Sequence, residues 1–221
     1  MKIKIPPNIT PQEAIKLQQK LAPLIIEDSE PSININNLVG CDATYIQERT
    51  LAAASLVEYE TLQPFRTSTI EERTRFPYVP GLLAFREAPA LLRAIKALKA
   101  KAYVCLVDAH GRAHPRKFGL ACHVGLSLDH PTIGVAKTLL YGRVKGDHVL
   151  DKDDHPLATI LKLPNSKKTI YVSVGHKISL TDATNIVKHC LSKNGPLPVR
   201  LAHEKVNKQK WLLKNSNQVS S

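Results

Sequence analysis

The chain has no apolar run approaching the length of a membrane span, no CxxC pair and comparatively few acidic residues. The first absence excludes a transmembrane helix, and the opening stretch MKIKIPPNIT carries no apolar signal-peptide core. A soluble, cytoplasmic protein with no membrane partner is the expectation. Four cysteines, Cys41, Cys105, Cys122 and Cys190, are scattered through apolar segments. That excludes a paired-cysteine metal site and points to free thiols acting as small core hydrophobes. His110 and His114 stand four apart, yet Gly111 and Pro115 interrupt any helix between them. The two rings therefore cannot share a helix face as a zinc protease motif requires. The segment GVAKT lacks the second glycine of a phosphate-binding loop, and no internal repeat stands out.

What is plentiful is positive charge. Lys and Arg total 31 against 19 Asp and Glu, a net charge of +12 over 221 residues. Such a balance favours a polyanionic partner such as nucleic acid. With no sharp shift in composition, one domain over residues 1–221 is expected, with a polar tail after Lys214 that frays.

The central stretch, Val104 to Gly125, reads VCLVDAHGRAHPRKFGLACHVG. Val104 to Val107 is a short buried strand that delivers Asp108 at its C-terminal edge, the edge at which open α/β sheets bind ligands. By itself an aspartate there is more often a turn or N-cap residue. A loop with Gly111, His114, Pro115 and Arg116 follows, and Phe118, Leu120, Ala121, Val124 and Leu128 then recur at helical spacing.

Around it, Thr10, Pro11 and Glu13 form a capping box that starts a surface helix. Leu38 to Tyr45 reads as a strand with Asp42 near its middle, where a poor strand former asks for a reason. Leu51 to Tyr59 and Leu62 to Phe65 read as further strands of an antiparallel meander, so the fold class is α/β with a mixed sheet. Arg66 to Arg75 reads as a polar connection to Pro77, Tyr78, Val79, Pro80 and Gly81, a stiff extended turn whose tyrosine is either packed or presented outward. Glu87 is placed at a helix start, with Pro89 in the first turn. Pro131 to Ala136 is a buried strand leading to Lys137, and Thr169 to Val174 is another. Ser179 and Asp182 cap a helix that Gly195 ends, and Val199 to Lys214 is a last basic helix.

Asp42, Glu87 and Asp108 are thus three acidic groups in a very basic chain. Hard divalent cations such as magnesium make a carboxylate cluster tolerable, and a metal bound there can activate water against phosphate. A basic surface holding a nucleic-acid backbone beside such metals is the ribonuclease H type of arrangement.

The motifs VGCDATY, PYVPGLLAFREAPALL, VDAHGRAHPRKFGLACHVG, PTIGVAK and PVRLAH occur in this order from Gly40 to His203. In them the chain resembles the endonuclease V family. The resemblance implies a ribonuclease H-like mixed sheet flanked by helices and a magnesium-dependent endonuclease, with manganese as a substitute. Its substrate would be a strand containing deoxyinosine or inosine, cut at the second phosphodiester on the 3′ side. DNA repair and inosine-RNA processing both stay open, and a monomer is expected. Residue by residue, the resemblance implies Asp42, Asp108, Glu87 and His203 at the metal, and His114 and Lys137 near the scissile phosphate. It makes Pro77, Tyr78, Val79 and Pro80 a wedge that fills the gap left by an everted base. Gly81, Leu83, Gly111, Gly119, Leu120 and Leu140 would line the base site, and Arg116 is a further substrate-binding candidate. A structure-specific nuclease of the same fold and a non-catalytic nucleic-acid binding module are the alternatives. One departure stands out: the family usually has glycine directly after the central aspartate, and this chain has Ala109. A negative φ and a methyl pointing away from the base are expected there.

Overall fold

The structure, a computed structural model, describes residues 3, 5, 6, 8–28, 35–101 and 103–216. Among the described residues the chain runs α1 (Pro11–Leu21), β1 (Asn37–Ile46), β2 (Arg49–Glu58), β3 (Pro64–Arg73), α2 (Leu83–Ala97), β4 (Tyr103–Val107), α3 (Leu120–Leu128), β5 (Thr132–Ala136), β6 (Arg143–Lys145), β7 (His148–Leu150), β8 (Pro156–Lys162), β9 (Thr169–His176), α4 (Leu180–His189) and α5 (Leu197–Ser216). A two-residue pair, β10 (Leu191–Ser192) and β11 (Gly195–Pro196), precedes α5.

Strands β1 to β9 form one sheet in the order β3-β2-β1-β4-β5-β9-β8-β7-β6. β1, β4 and β5 run parallel, and the outer strands pair antiparallel, so the sheet is mixed as expected. Alternation along the strands sorts side chains between the two faces. Val39 and Cys41 of β1 and Cys105 and Val107 of β4 pack with α2 in one apolar cluster. Leu38, Val104 and Leu106 point the other way, into a cluster with α4 and Val199 of α5. All four cysteines are free and buried in these layers. α1 begins as the capping box predicts, with Thr10 and Glu13 bonding each other's backbone.

Several boundaries differ from the sequence reading. Residues 66–73, read as a connection, belong to β3, an edge strand whose charged side chains stay in solvent and blunt the edge. Three strands that the sequence reading did not place extend the far side of the sheet, the three-residue β6 and β7 and the seven-residue β8. α2 starts at Leu83, so Glu87 lies in its second turn and Pro89 inside the helix. Proline there removes the hydrogen bond to the Phe85 carbonyl and crowds that carbonyl, while its exposed position leaves the apolar stripe on the opposite face intact. Gly195 does not end α4, which stops at His189 with Cys190 as its cap; the glycine belongs to β11. Asn215 and Ser216, expected to fray, close α5, while the rest of the tail, 217–221, and Pro31 of the loop after α1 lie outside the described residues.

Candidate active site

The parallel register of β1 and β4 ends at the pair Cys41 and Val107. The next residue on each strand is an aspartate, and the Asp108 N–H continues the ladder to the Cys41 carbonyl at 3.1 Å. Asp42 and Asp108 are therefore brought side by side on the face covered by α5. Asp42 sits mid-strand, because β1 continues to Ile46 where β4 has already stopped.

α5 reaches this face because residue 40 is glycine. A Cβ there would lie 2.0 Å from the carbonyl carbon of Pro198, a distance no side chain tolerates. Ser55 of β2 adds a 2.5 Å hydrogen bond to the same Pro198 carbonyl oxygen. Seated this closely, α5 sets His203 Nδ1 2.7 Å from Asp42 Oδ2, and Asn207 Nδ2 lies 3.0 Å from His203 Nε2. Ligand atoms of Asp42, Asp108 and His203 all fall within 4.8 Å of one another.

The electrostatics of the group suit a cation. Burial, and then the charge of Asp108, raise the Asp42 carboxyl above its ordinary range, against the lowering effect of the His203 contact. Lys137, just after β5, donates to Asp108 Oδ2 at 2.6 Å, and the Ala43 N–H donates to Asp42 Oδ1 at 2.8 Å. Glu87 approaches from α2, on the other face. Burial pushes its carboxyl up to about 7, helped by the charges of Asp42 and Asp108 and opposed by a 2.5 Å hydrogen bond from Tyr45 Oη. Arg86 lies over the Tyr45 ring, 4.2 Å from its centroid. Hard carboxylate oxygens with an imidazole nitrogen, negative charge crowded and incompletely compensated, fit a divalent cation.

A cleft of about 730 Å³ opens beside Asp108 and His203, and Lys137, Lys167, Lys168, Lys193 and Arg200 line it. It offers a phosphate backbone a cationic wall next to the carboxylates.

A second group forms around the Gly81 carbonyl. Gly81 has φ +77°, a backbone state that favours glycine, and it joins the segment 77–80 to α2. Its oxygen accepts from Gln18 Nε2 at 3.1 Å and Arg116 Nη2 at 2.8 Å, and His114 Nε2 lies 3.0 Å away. His114 Nδ1 accepts the Arg116 N–H at 3.2 Å, which makes the ring the neutral tautomer with its proton on Nε2. Burial, and Arg116 beside it, hold His114 down to about 4. Pro77, Tyr78 and Pro80 are exposed, Tyr78 at 72%, while Val79 packs against the core. Gly119 donates to the Gly111 carbonyl at 3.0 Å, and Gly111 donates to Ser173 Oγ at 2.9 Å, so both lie in the crossing between β4 and α3. Leu120 is buried at the start of α3, Leu83 half-buried at the start of α2, and Leu140 is 45% exposed beyond Lys137.

The sequence-predicted residues thus fall into two places. Asp42, Asp108, His203 and Lys137 meet directly, with Glu87 nearby, whereas His114, Arg116 and Gly81 meet one another. Ala109 is absent from the positive-φ residues, and its methyl packs in the cluster of Val107 and Ala121. Tyr45, Gln18 and Asn207 were not singled out from the sequence. Tyr45 stands three residues after Asp42 within the same motif, and that proximity was the available signal. Gln18 is a buried amide on the apolar stripe of α1, between Ala14 and Leu21.

A model of the endonuclease V family matches residues 19–204. The endonuclease V of Thermofilum pendens is 39% identical over 207 residues, covering 90% of this chain and 89% of its own. The crystal structure of endonuclease V from Streptomyces avermitilis superposes with a TM-score of 0.84 at 31% identity, over 98% of this chain and 100% of that one. Endonuclease V of Ciona intestinalis, crystallised with a 24mer DNA containing an inosine followed by a ribo-adenosine, gives a TM-score of 0.84 at 28% identity, over 91% of this chain and 98% of that one. With its ribonuclease H-like mixed sheet, its acidic pair side by side on β1 and just past the end of β4, and these likenesses along most of its length, the chain is a nuclease and belongs to the endonuclease V family.

Proposed function

We propose that the protein is a magnesium-dependent endonuclease that recognises inosine or deoxyinosine and hydrolyses the second phosphodiester on its 3′ side. Manganese serves as the substitute ion, and the cut leaves 3′-hydroxyl and 5′-phosphate ends. The observation that carries this reading is the juxtaposition of Asp42, Asp108 and His203 beside the lysine-lined cleft. The inosine-containing DNA bound by the Ciona relative supports the choice of base.

Asp42, Asp108 and His203, with Glu87 from the other face, would hold the metal. When bound, the ion would polarise the scissile phosphate and lower the pKa of a water nucleophile. Lys137 is within reach of the same phosphate, since its ammonium already rests against Asp108. The cleft lysines neutralise the backbone that leads to the site. Tyr78, held outward between two prolines, stacks where the everted base has left the helix. Hypoxanthine presents an O6 acceptor and an N1 donor, and adenine reverses both. A site of backbone groups can therefore reject adenine by leaving polar groups unpaired.

The test is cleavage of matched single-inosine DNA and RNA strands, unmodified strands and branched duplexes, each with magnesium and with chelator. Magnesium-dependent cutting of the inosine strands at the second 3′ phosphodiester is expected. Preferential cutting of branched duplexes irrespective of inosine would replace this reading with a structure-specific nuclease. Tight binding without cutting in magnesium would replace it with a binding module.

A further inference from the structure

Gln18 is an anomaly of α1. Its helix face is the one that carries Ala14 and Leu21, both buried, and its own side chain is 1% exposed. A leucine or methionine would suit that face, and a buried amide is tolerated only if its hydrogen bonds are made. They are made, and across the whole molecule. Nε2 donates to the Phe118 carbonyl at 2.9 Å and to the Gly81 carbonyl at 3.1 Å, while Oε1 accepts from Arg116 Nε at 2.6 Å.

The two carbonyls lie at functionally opposed places. Gly81 is the left-handed residue between the 77–80 segment and α2, the helix that carries Glu87. Phe118 immediately precedes Gly119, the N-cap of α3. One amide thus spans the gap between the turn that presents Tyr78 and the N-terminus of α3. Arg116 closes the ring, because its Nε is held by Gln18 while its Nη2 bonds the Gly81 carbonyl. Gln18 also lies one residue ahead of the stretch that the family model matches.

We infer that Gln18 is a positioning residue for base selection: its side-chain amide fixes the separation and orientation of the Gly81 turn and the α3 N-terminus, between which the everted base is read. The inference rests on the reading, under the proposed function, of Pro77 to Pro80 as the wedge and of Gly81, Gly119 and Leu120 as walls of the base site. Gln18 touches neither the carboxylates nor the base. Its loss should therefore blur the choice between bases without altering hydrolysis itself.

The test uses the full chain with magnesium. Gln18→Met keeps length and helix preference but removes every polar contact, and Gln18→Glu keeps an acceptor for Arg116 while turning a second acceptor toward the two carbonyls. For each, kcat/KM is measured on a single-inosine strand and on the matched adenosine strand, with a melting curve. Both variants are expected to lose about tenfold or more on the inosine strand, with the slow adenosine cleavage changed by less than about twofold. If Gln18→Met melts far below the wild type, Gln18→Asn reads the same ratio, since it retains the amide but cannot span both carbonyls. An unchanged inosine-to-adenosine ratio in variants that melt normally would overturn the inference and leave the proposed function standing. Equal losses on both strands would overturn it as well, by making Gln18 purely structural. A wild-type protein with no inosine preference would remove both together.

Discussion

The carboxylate group and the Gly81 group are built on opposite principles. Around Asp42, Asp108 and Glu87, like charges crowd one another, two of the carboxyls are raised above their ordinary range, and the side-chain partners of the two aspartates are the exposed Lys137 and His203. Around Gly81 the groups are neutral or cationic, buried or half-buried, and bonded to one another through Gln18, Arg116 and His114. Exposed ion pairs are exchanged for other partners at small cost, whereas satisfied buried hydrogen bonds are not. Under the proposed function, the first region would take up a cation and a phosphate, and the second would keep its shape while a base is examined.

The comparison breaks most visibly at Asp108. Asp108→Asn should lower cleavage by about a thousandfold or more while binding to an inosine strand stays within a few-fold, because chemistry and affinity draw on different residues. Magnesium-dependent cutting at wild-type rate in the purified variant would dissolve the distinction. Tyr78→Ala should act the other way, weakening binding to inosine strands by about tenfold, the scale of a lost stacking contact worth roughly 1–3 kcal/mol. Unchanged affinity in a titration would return Tyr78 to the status of an idle surface ring.

Tyr45→Phe sharpens the electrostatic side. The Tyr45 hydroxyl donates to the Glu87 carboxylate and favours its charged form, so its removal should push Glu87 further above about 7. Activity should then require higher pH: the acid limb of the rate profile moves up, with about a several-fold deficit at pH 7 that shrinks at pH 8.5. An unmoved acid limb would detach Glu87 from the reaction. The smallest effect is expected at Ala109, whose φ is not positive and whose methyl packs in the core. Ala109→Gly should change the inosine rate by less than about tenfold, under roughly 1.4 kcal/mol of barrier. A hundredfold gain would show that the alanine narrows the base site.

The acidic pair was legible because each aspartate interrupts or ends an apolar run, and a poor strand former in such a place needs a cause. The capping box of α1 was legible for the same local reason, since cap and partner stand three residues apart. β3 was hidden because an edge strand that faces water on most sides has no apolar alternation to display. The start of α2 was hidden by Pro89, which imitates a first-turn proline while lying in the helix interior. Gln18 and Tyr45 escaped because their meaning lies in contacts 63, 100 and 42 residues away along the chain. Local patterns locate elements and conspicuous charges; long-range hydrogen bonds leave no periodic trace.

The seat that Gly40 offers α5 also orders events in time. During synthesis Asp42 and Asp108 leave the ribosome long before residue 203, and domains begin to fold from the N-terminal side as they emerge. β1 and β4 can pair at that stage, but His203 arrives only when Pro198 closes over Gly40. A growing chain therefore carries the acidic pair without its imidazole neighbour until that last helix has docked.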